Sequence, residues 1–339
     1  MYCFLKILAR LALRLFCRHI QVGGKDILQK KGGPLLIVAN HPNAFLDAVV
    51  VASRCRAQTY TLVRGDVFQY RWSNRALRAL FCIPIFRIQE GKQRLHHNEN
   101  SFQDCLRRFD EGKNVLIFAE GDCENEWKLR PLGKGAARLA LQGWQHTEGK
   151  LRVVPLGITY QDFKGLGKKV LLAAGTPLPM EGFQVDSPRD VLLVKRLLHR
   201  QLERHIVEVP PGEEPLRNFQ KWMEDMGTTE KKHSRSPWIS RLTTLPALLG
   251  WLLHAPLYYP LKKFTQKQTA GTVYYDSVLF GLLFLGYPLY LLLTAMVLYL
   301  GTGCLVAAIG WMLVLPALVA LTVRHPLFNP YVPMRYTAA

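Results

Sequence analysis

A histidine and an aspartate six positions apart, His41 and Asp47, follow the apolar run Leu35-Leu36-Ile37-Val38-Ala39. A buried strand that delivers an imidazole at its C-terminal end, with a carboxylate in the next turn to orient it, is a common way to build a general base. Such a base could take the proton of a hydroxyl while the carboxylate stabilises the resulting imidazolium. The spacing sets a condition. At about 100° per residue, positions six apart do not share a helix face, so the pair meets only if His41 lies outside the helix and bends back. Pro42 or Asn43 can open that helix, because proline suits the first helical position and asparagine the N-cap. The positive end of the helix dipole would then favour the Asp47 carboxylate. These residues alone also fit a turn histidine beside an ordinary first-turn acid.

Three further short stretches stand out: an apolar run ending in arginine, Ile83-Pro84-Ile85-Phe86-Arg87; Phe118-Ala119-Glu120-Gly121; and a short strand containing proline, Val153-Val154-Pro155-Leu156. With Asn40-His41 through Asp47 they make four blocks in a fixed order over about half the chain. In this the sequence resembles the glycerophospholipid acyltransferase superfamily, the glycerol-3-phosphate and 1-acylglycerol-3-phosphate acyltransferases. The resemblance implies an O-acyltransferase in which His41 is the base and Asp47 its partner. It places Asn40, Arg87, Glu120, Gly121, Arg130 and Lys134 at the substrate. Arg87 suits phosphate, since a planar guanidinium can clamp its oxygens bidentately. Glu120 could accept hydrogen bonds from a glycerol hydroxyl or hold a cationic side chain, and Gly121 lets backbone approach substrate.

Two departures from the family pattern stand out. The usual first block has four residues between His and Asp, whereas Pro42 to Leu46 make five, a longer form that some members share. In the third block Ala119 replaces a proline, and Asp122-Cys123 stand where many members carry Thr-Arg, so phosphate contacts drawn from that arginine must come from elsewhere. Arg130, Lys134 and Arg138 are the nearest replacements. Cys123 could be read as a nucleophile, but the family's direct acyl transfer makes it a bystander. The acyl donor implied is acyl-CoA or acyl-carrier protein, acting as a substrate. No metal or tightly bound cofactor is implied: the seven cysteines are scattered without a Cys-x-x-Cys pair, and His96-His97 has no carboxylate or cysteine at a ligand spacing.

The elements that must position these residues alternate. Strands are expected at Leu35–Ala39, Thr59–Val63, Ile83–Ile88, Val115–Phe118, Val153–Tyr160 and Val170–Ala174, and helices at Asp47–Ser53, Arg75–Phe81, Glu99–Phe109, Lys134–Gln142 and Arg189–Val207. The pattern predicts an α/β layered domain over residues 19–215, with a largely parallel or mixed sheet flanked by helices and the blocks on loops at strand ends. A polar connector, 216–240, follows, with the basic cluster Lys231 to Arg235 near the expected membrane surface.

The rest of the chain points to a bilayer. The formal net charge is +19, from 44 Lys+Arg against 25 Asp+Glu, which suggests an anionic partner. Nine basic residues between Arg54 and Arg94, interleaved with Phe68, Tyr70 and Trp72, could suit single-stranded nucleic acid. Hydropathy favours lipid instead. Residues 278–323 hold no Asp, Glu, Lys or Arg, long enough for two helices of ~20 residues crossing a ~30 Å hydrocarbon core. A hairpin is expected within 277–324, with spans Val278–Leu298 and Cys304–Val323. Lys262, Lys263 and Lys267 before it and Arg324 and Arg335 after it put both flanks, the tail 325–339 and the catalytic domain on the cytoplasmic face. Residues 241–276, interrupted by His254, Pro256 and Pro260, are expected to form an interfacial or re-entrant segment. Residues 1–18, with Lys6, Arg10 and Arg14 at helical spacing, read as a basic amphipathic helix in contact with the membrane. The expected partners are therefore membrane lipids, a lysophospholipid acceptor and the acyl donor, with no nucleic acid. An inert lipid-binding protein is the alternative of another class, and the acceptor could also be glycerol-3-phosphate or a lyso-aminolipid.

Overall fold

The computed structural model describes residues 2–29, 33–86, 97–180, 182–185, 187–209 and 237–329. Seven strands form one mixed sheet in the order β1-β7-β6-β2-β5-β3-β4. They are β1 (Cys17–Gly23), β2 (Leu35–Ala39), β3 (Thr59–Arg64), β4 (Cys82–Ile85), β5 (Asn114–Phe118), β6 (Arg152–Tyr160) and β7 (Lys168–Ala174). All neighbours pair parallel except β6 with β7. The expected α/β domain with a mixed sheet is what forms. β2 at the centre is buried at every position, as a parallel strand covered on both faces requires, and this is why its sequence is uniformly aliphatic rather than alternating.

The side chains of β2 divide between two layers with the period of two that a strand imposes. Leu36 and Val38 join a core with Phe102, Leu106, Leu139 and Leu198, from α5 (His97–Asp110), α6 (Gly135–His146) and α7 (Pro188–Glu203). Leu35, Ile37 and Ala39 face the other way, onto Leu13 and Phe16 of α1 (Tyr2–Phe16), Leu46 and Val50 of α3 (Ala44–Arg54), and Leu279 and Phe280. Those last two belong to a helix of the apolar C-terminal tract, so the root of that tract forms part of the domain's core.

β1 is absent from the sequence-based expectation. Its apolar residues Cys17, Ile20 and Val22 do not alternate, because the register against β7 shifts between Cys17 and His19, and an irregularity of this kind hides the period of two. The short helix α2 (Lys25–Gln29) also has no legible signal. α4 (Arg71–Ala79) follows a 3-10 turn at Gly65–Phe68.

Beyond residue 236 three helices follow, α8 (Pro237–Gln268), α9 (Tyr275–Thr302) and α10 (Leu305–Arg324). α9 and α10 are long and apolar enough to cross a membrane. Leu289, Leu292, Val297, Leu300, Val306 and Leu313 are all more than half exposed on them, so they are not core helices of a soluble fold. Gly303, at φ 65°, turns one helix into the other. α8 is one continuous helix despite Pro246, Pro256 and Pro260. Thr244 near its start meets His325 at the end of α10, and its far end leads within seven residues to the start of α9. α8 crosses α10 closely at Gly250, where an added Cβ would lie 2.4 Å from Thr322 Oγ1.

In α1 two of the three cations, Lys6 and Arg10, turn inward, while Arg14 is exposed. Lys6 Nζ donates to the Cys55 and Arg56 carbonyls, and Arg10 Nε donates to Ser53 O at 2.7 Å. They thus satisfy carbonyls at the C-terminal end of α3, where the dipole favours positive charge. The opposite stripe, Phe4, Ile7 and Leu11, is exposed, so it is the apolar side of this amphipathic helix that faces outward.

Candidate active site

Parallel pairing brings the first three blocks to one edge. Ala39 pairs with Phe118, and Arg64 with Ile85, so β2, β5, β3 and β4 all end on the same side of the sheet. The C-terminal edge of a parallel sheet is where open α/β domains place their ligand sites. His41 leaves β2 there, Glu120 leaves β5, and β4 ends there at Ile85. Phe86 is pinned by Asn98, whose amide accepts from Phe86 N and donates to Phe86 O, both at 2.7 Å. Arg87 and His96 lie outside the described residues, as does the Lys231–Arg235 cluster.

The His41–Asp47 contact forms. Nδ1 of His41 lies 2.8 Å from Asp47 Oδ2, and the carboxylate is fully buried while the imidazole is partly open. His41 stands outside the helix, as the spacing requires, and α3 begins at Ala44 with Asn43 as its N-cap residue, the second of the two expected starts. Ala44 adopts φ 48°, a left-handed conformation costly for a residue with a Cβ, and this lets the chain curl so that Asp47 returns to His41. The same Asp47 oxygen accepts Asn43 N–H at 2.8 Å, a first-turn carboxylate satisfying the backbone of the cap residue. With Oδ2 accepting, Nδ1 of His41 is the donor and Nε2 carries the free lone pair. The ring stacks on Phe118, with centroids 3.8 Å apart and planes 12° from parallel, which fixes the direction of Nε2.

In the structure Glu120 holds a cationic side chain, one of its two expected roles. Its Oε1 accepts Arg130 N–H at 3.0 Å, and its Oε2 accepts His41 N–H at 3.0 Å and the Arg130 guanidinium at 3.1 Å. Its side chain is nearly sealed, so it joins the loops after β2 and β5 and holds a cation. Arg130 also donates to the Asp122 carbonyl and remains partly exposed. Gly121 has φ 74° and open space where a Cβ would sit, so its backbone, not crowding, demands glycine. Lys134 caps α6 from an exposed position, as Arg138 stands exposed on its first turn.

Asn40 differs from its expected place at the substrate. It is buried, its Oδ1 accepts Ile158 N–H at 2.7 Å and its Nδ2 donates to Ile158 O at 2.9 Å. That pairing continues the β2–β6 ladder through a side chain, so Asn40 fixes the exit of His41 from the sheet. Cys123 accepts Ala44 N–H at 2.9 Å. Burial, and after it the Asp47 carboxylate, push the Cys123 thiol well above its ordinary range, which disfavours the thiolate that a nucleophile needs.

Three residues around the dyad carry no local signal in the sequence. The phenol of fully buried Tyr160, at the end of β6, lies behind Asp47. Burial first, and then the carboxylate's charge, hold it protonated. Neither its hydroxyl nor Asp47 Oδ1 completes a hydrogen bond of ordinary geometry. Asp276 accepts from Asn43 Nδ2 at 2.8 Å, and Ser277 accepts Leu46 N–H at 3.0 Å. Only the long-range fold could reveal them.

Comparison with known proteins adds three findings. Residues 19–159 match the model of the Acyltransferase family, a span that holds every expected site residue and stops before the C-terminal helices. No curated protein matches the sequence significantly. Among solved structures, the 1-acyl-sn-glycerophosphate (LPA) acyltransferase PlsC from Thermotoga maritima is similar at 18% identity, with a TM-score of 0.42 over 59% of this chain and 78% of that one.

Proposed function

We propose that this chain, which matches the Acyltransferase family model over residues 19–159, is an acyltransferase that moves a fatty acyl group from an acyl thioester to a hydroxyl of a glycerol phosphate-type lipid. The acceptor favoured is 1-acylglycerol-3-phosphate, giving phosphatidic acid. The observation that carries the reading is the oriented dyad, with His41 Nδ1 committed to a buried carboxylate at 2.8 Å and Nε2 free at the sheet edge. As the acceptor oxygen attacks the thioester carbonyl, Nε2 takes its proton and Asp47 stabilises the imidazolium. Collapse of the tetrahedral intermediate breaks the carbon–sulfur bond, and the departing thiolate recovers the proton from Nε2. Acyl chain, hydroxyl and thiol all balance without a covalent enzyme intermediate.

Phosphate recognition falls to Arg87, with Arg130 and Lys134 as further cations. A lipid acceptor is favoured by a cavity elsewhere in the molecule, lined by neither His41 nor Asp47. α1, α8, α9 and α10 enclose a mainly apolar cavity of about 1180 Å³ whose lining includes Leu11, Trp251 and Phe284 together with Arg14, Lys164 and Lys262, chemistry suited to an acyl chain below an anionic head. In this reading α9 and α10 span the bilayer, α8 and the outer stripe of α1 lie at its surface, and the catalytic domain faces the cytoplasm. The test supplies labelled palmitoyl-CoA to purified protein in mixed micelles with 1-acylglycerol-3-phosphate, glycerol-3-phosphate or a lyso-aminolipid. Label is expected in phosphatidic acid; transfer confined to acceptors without phosphate would refute the substrate class.

A further inference from the structure

The five-residue loop between His41 and Asp47 is held from an unexpected direction. A helix start leaves its first N–H groups without intrahelical partners, and the cap residue of α3, Asn43, makes no capping bond with its side chain. The first turn of α9 takes that role. Ser277 Oγ accepts Leu46 N–H at 3.0 Å and donates to Asn43 O at 3.1 Å, so one hydroxyl ties both sides of the curl. The Asn43 side chain, released from capping, donates to Asp276 Oδ2 at 2.8 Å. Asp276 is itself immobilised, with Gly165 N–H on its other oxygen at 3.0 Å and a fully buried ion pair to Lys168 of β7. Asn43 is also the residue whose N–H fixes Asp47 Oδ2. A chain of direct contacts thus runs Lys168–Asp276–Asn43–Asp47–His41, and through Asp276 it passes by way of a helix long and apolar enough to cross a membrane.

We propose that Asp276 and Ser277, at the root of α9, are positioning residues for the dyad, so that the apolar hairpin completes the active site and is more than its anchor. The loop they hold contains the strained Ala44 at φ 48°, a conformation that persists only where surrounding contacts impose it. A shift of α9 relative to the sheet would release Asn43 and Leu46 together and let Asp47 drift from Nδ1. The inference rests on the His41–Asp47 reading of function. It also explains how the longer spacing preserves the dyad: the added residue is absorbed by a turn that α9 braces.

Two double variants separate positioning from mere stability. Both Asp276→Asn with Lys168→Met and Asp276→Leu with Lys168→Met remove the buried ion pair without leaving a lone charge, but only the asparagine can still accept from Asn43. The asparagine pair is expected to keep kcat within about threefold of wild type, and the leucine pair to lose about 10- to 100-fold in kcat with the acceptor KM unchanged, the scale of a small misplacement at a reacting centre. Equal kcat in the two variants, whether retained or lost, overturns the proposal. Ser277→Ala should lower kcat and Ser277→Thr restore it, which decides the matter if the leucine variant does not fold; equal values for those two overturn it. Wild-type protein inactive on every acceptor would defeat the proposed function instead. The rate of His41 carbethoxylation, followed by mass spectrometry, then serves as readout: at least about threefold faster in the leucine than in the asparagine variant if α9 holds His41 against Asp47, and equal in the two if it does not.

Discussion

Replacing Asp47 by asparagine isolates the carboxylate's charge from its shape. Asp47 is fully buried, and its Oδ2 accepts from both His41 Nδ1 and Asn43 N at 2.8 Å. An asparagine can keep both contacts through its own oxygen while turning its amide nitrogen toward the Tyr160 hydroxyl, which as an acceptor is free. Nδ1 stays the donor, Nε2 stays the base, and the variant should fold. What disappears is the anion opposite the imidazolium that forms during attack. A hydrogen bond to a charged group is worth ~1.5–3 kcal/mol, and each ~1.36 kcal/mol is tenfold in rate, so kcat should fall about 10- to 150-fold. Continuous detection of the released CoA thiol, with acceptor concentration varied, separates kcat from KM. A folded Asp47→Asn enzyme within about threefold of wild-type kcat would refute the assignment of charge stabilisation to Asp47.

Other consequences follow from the same geometry. Arg87→Ala should chiefly raise the acceptor KM, by about 10-fold or more for a lost charge-assisted contact; an effect on donor kinetics alone would reassign Arg87. Cys123, buried and with its thiol pushed up, should resist N-ethylmaleimide at neutral pH. Stoichiometric alkylation there, prevented by acyl-CoA, would contradict its passive role. Of the seven cysteines only Cys3 and Cys304 are exposed, so native thiols report topology. In intact cells an impermeant maleimide should reach Cys304 at the hairpin turn, and reach Cys3 only after permeabilisation. Labelling of both from outside would remove the hairpin orientation.

The strands were legible where burial on both faces forces a continuous aliphatic run, as in Leu35–Ala39, whose predicted and observed limits coincide. β1 was not, because its bulge breaks the alternation and its edge position leaves His19 and Gln21 half-exposed. The dyad could be posed as a geometric condition on residues six apart, since both members are local to one turn. The sequence could also narrow Glu120 to two roles, but the ten-residue loop that returns Arg130 to it is visible only in the fold. Asp276, Ser277 and Tyr160 were out of reach. Their partners lie more than a hundred positions away, and an Asp-Ser pair before an apolar helix reads locally as an ordinary helix start. The inward turn of Lys6 and Arg10 was hidden for the same reason: their acceptors are carbonyls of another helix, and backbone groups leave no mark in a sequence.

The central claim is that His41 is the base that activates the acceptor hydroxyl. Its most direct measurement is the turnover of His41→Ala, purified from a host lacking its own acyltransferase background, beside Asp47→Asn and the double variant. Turnover of His41→Ala should fall by at least ~10²-fold with folding and membrane association intact. The double variant should be no worse than His41→Ala, because residues acting as one unit are not additive. Near wild-type turnover by folded His41→Ala would contradict the account.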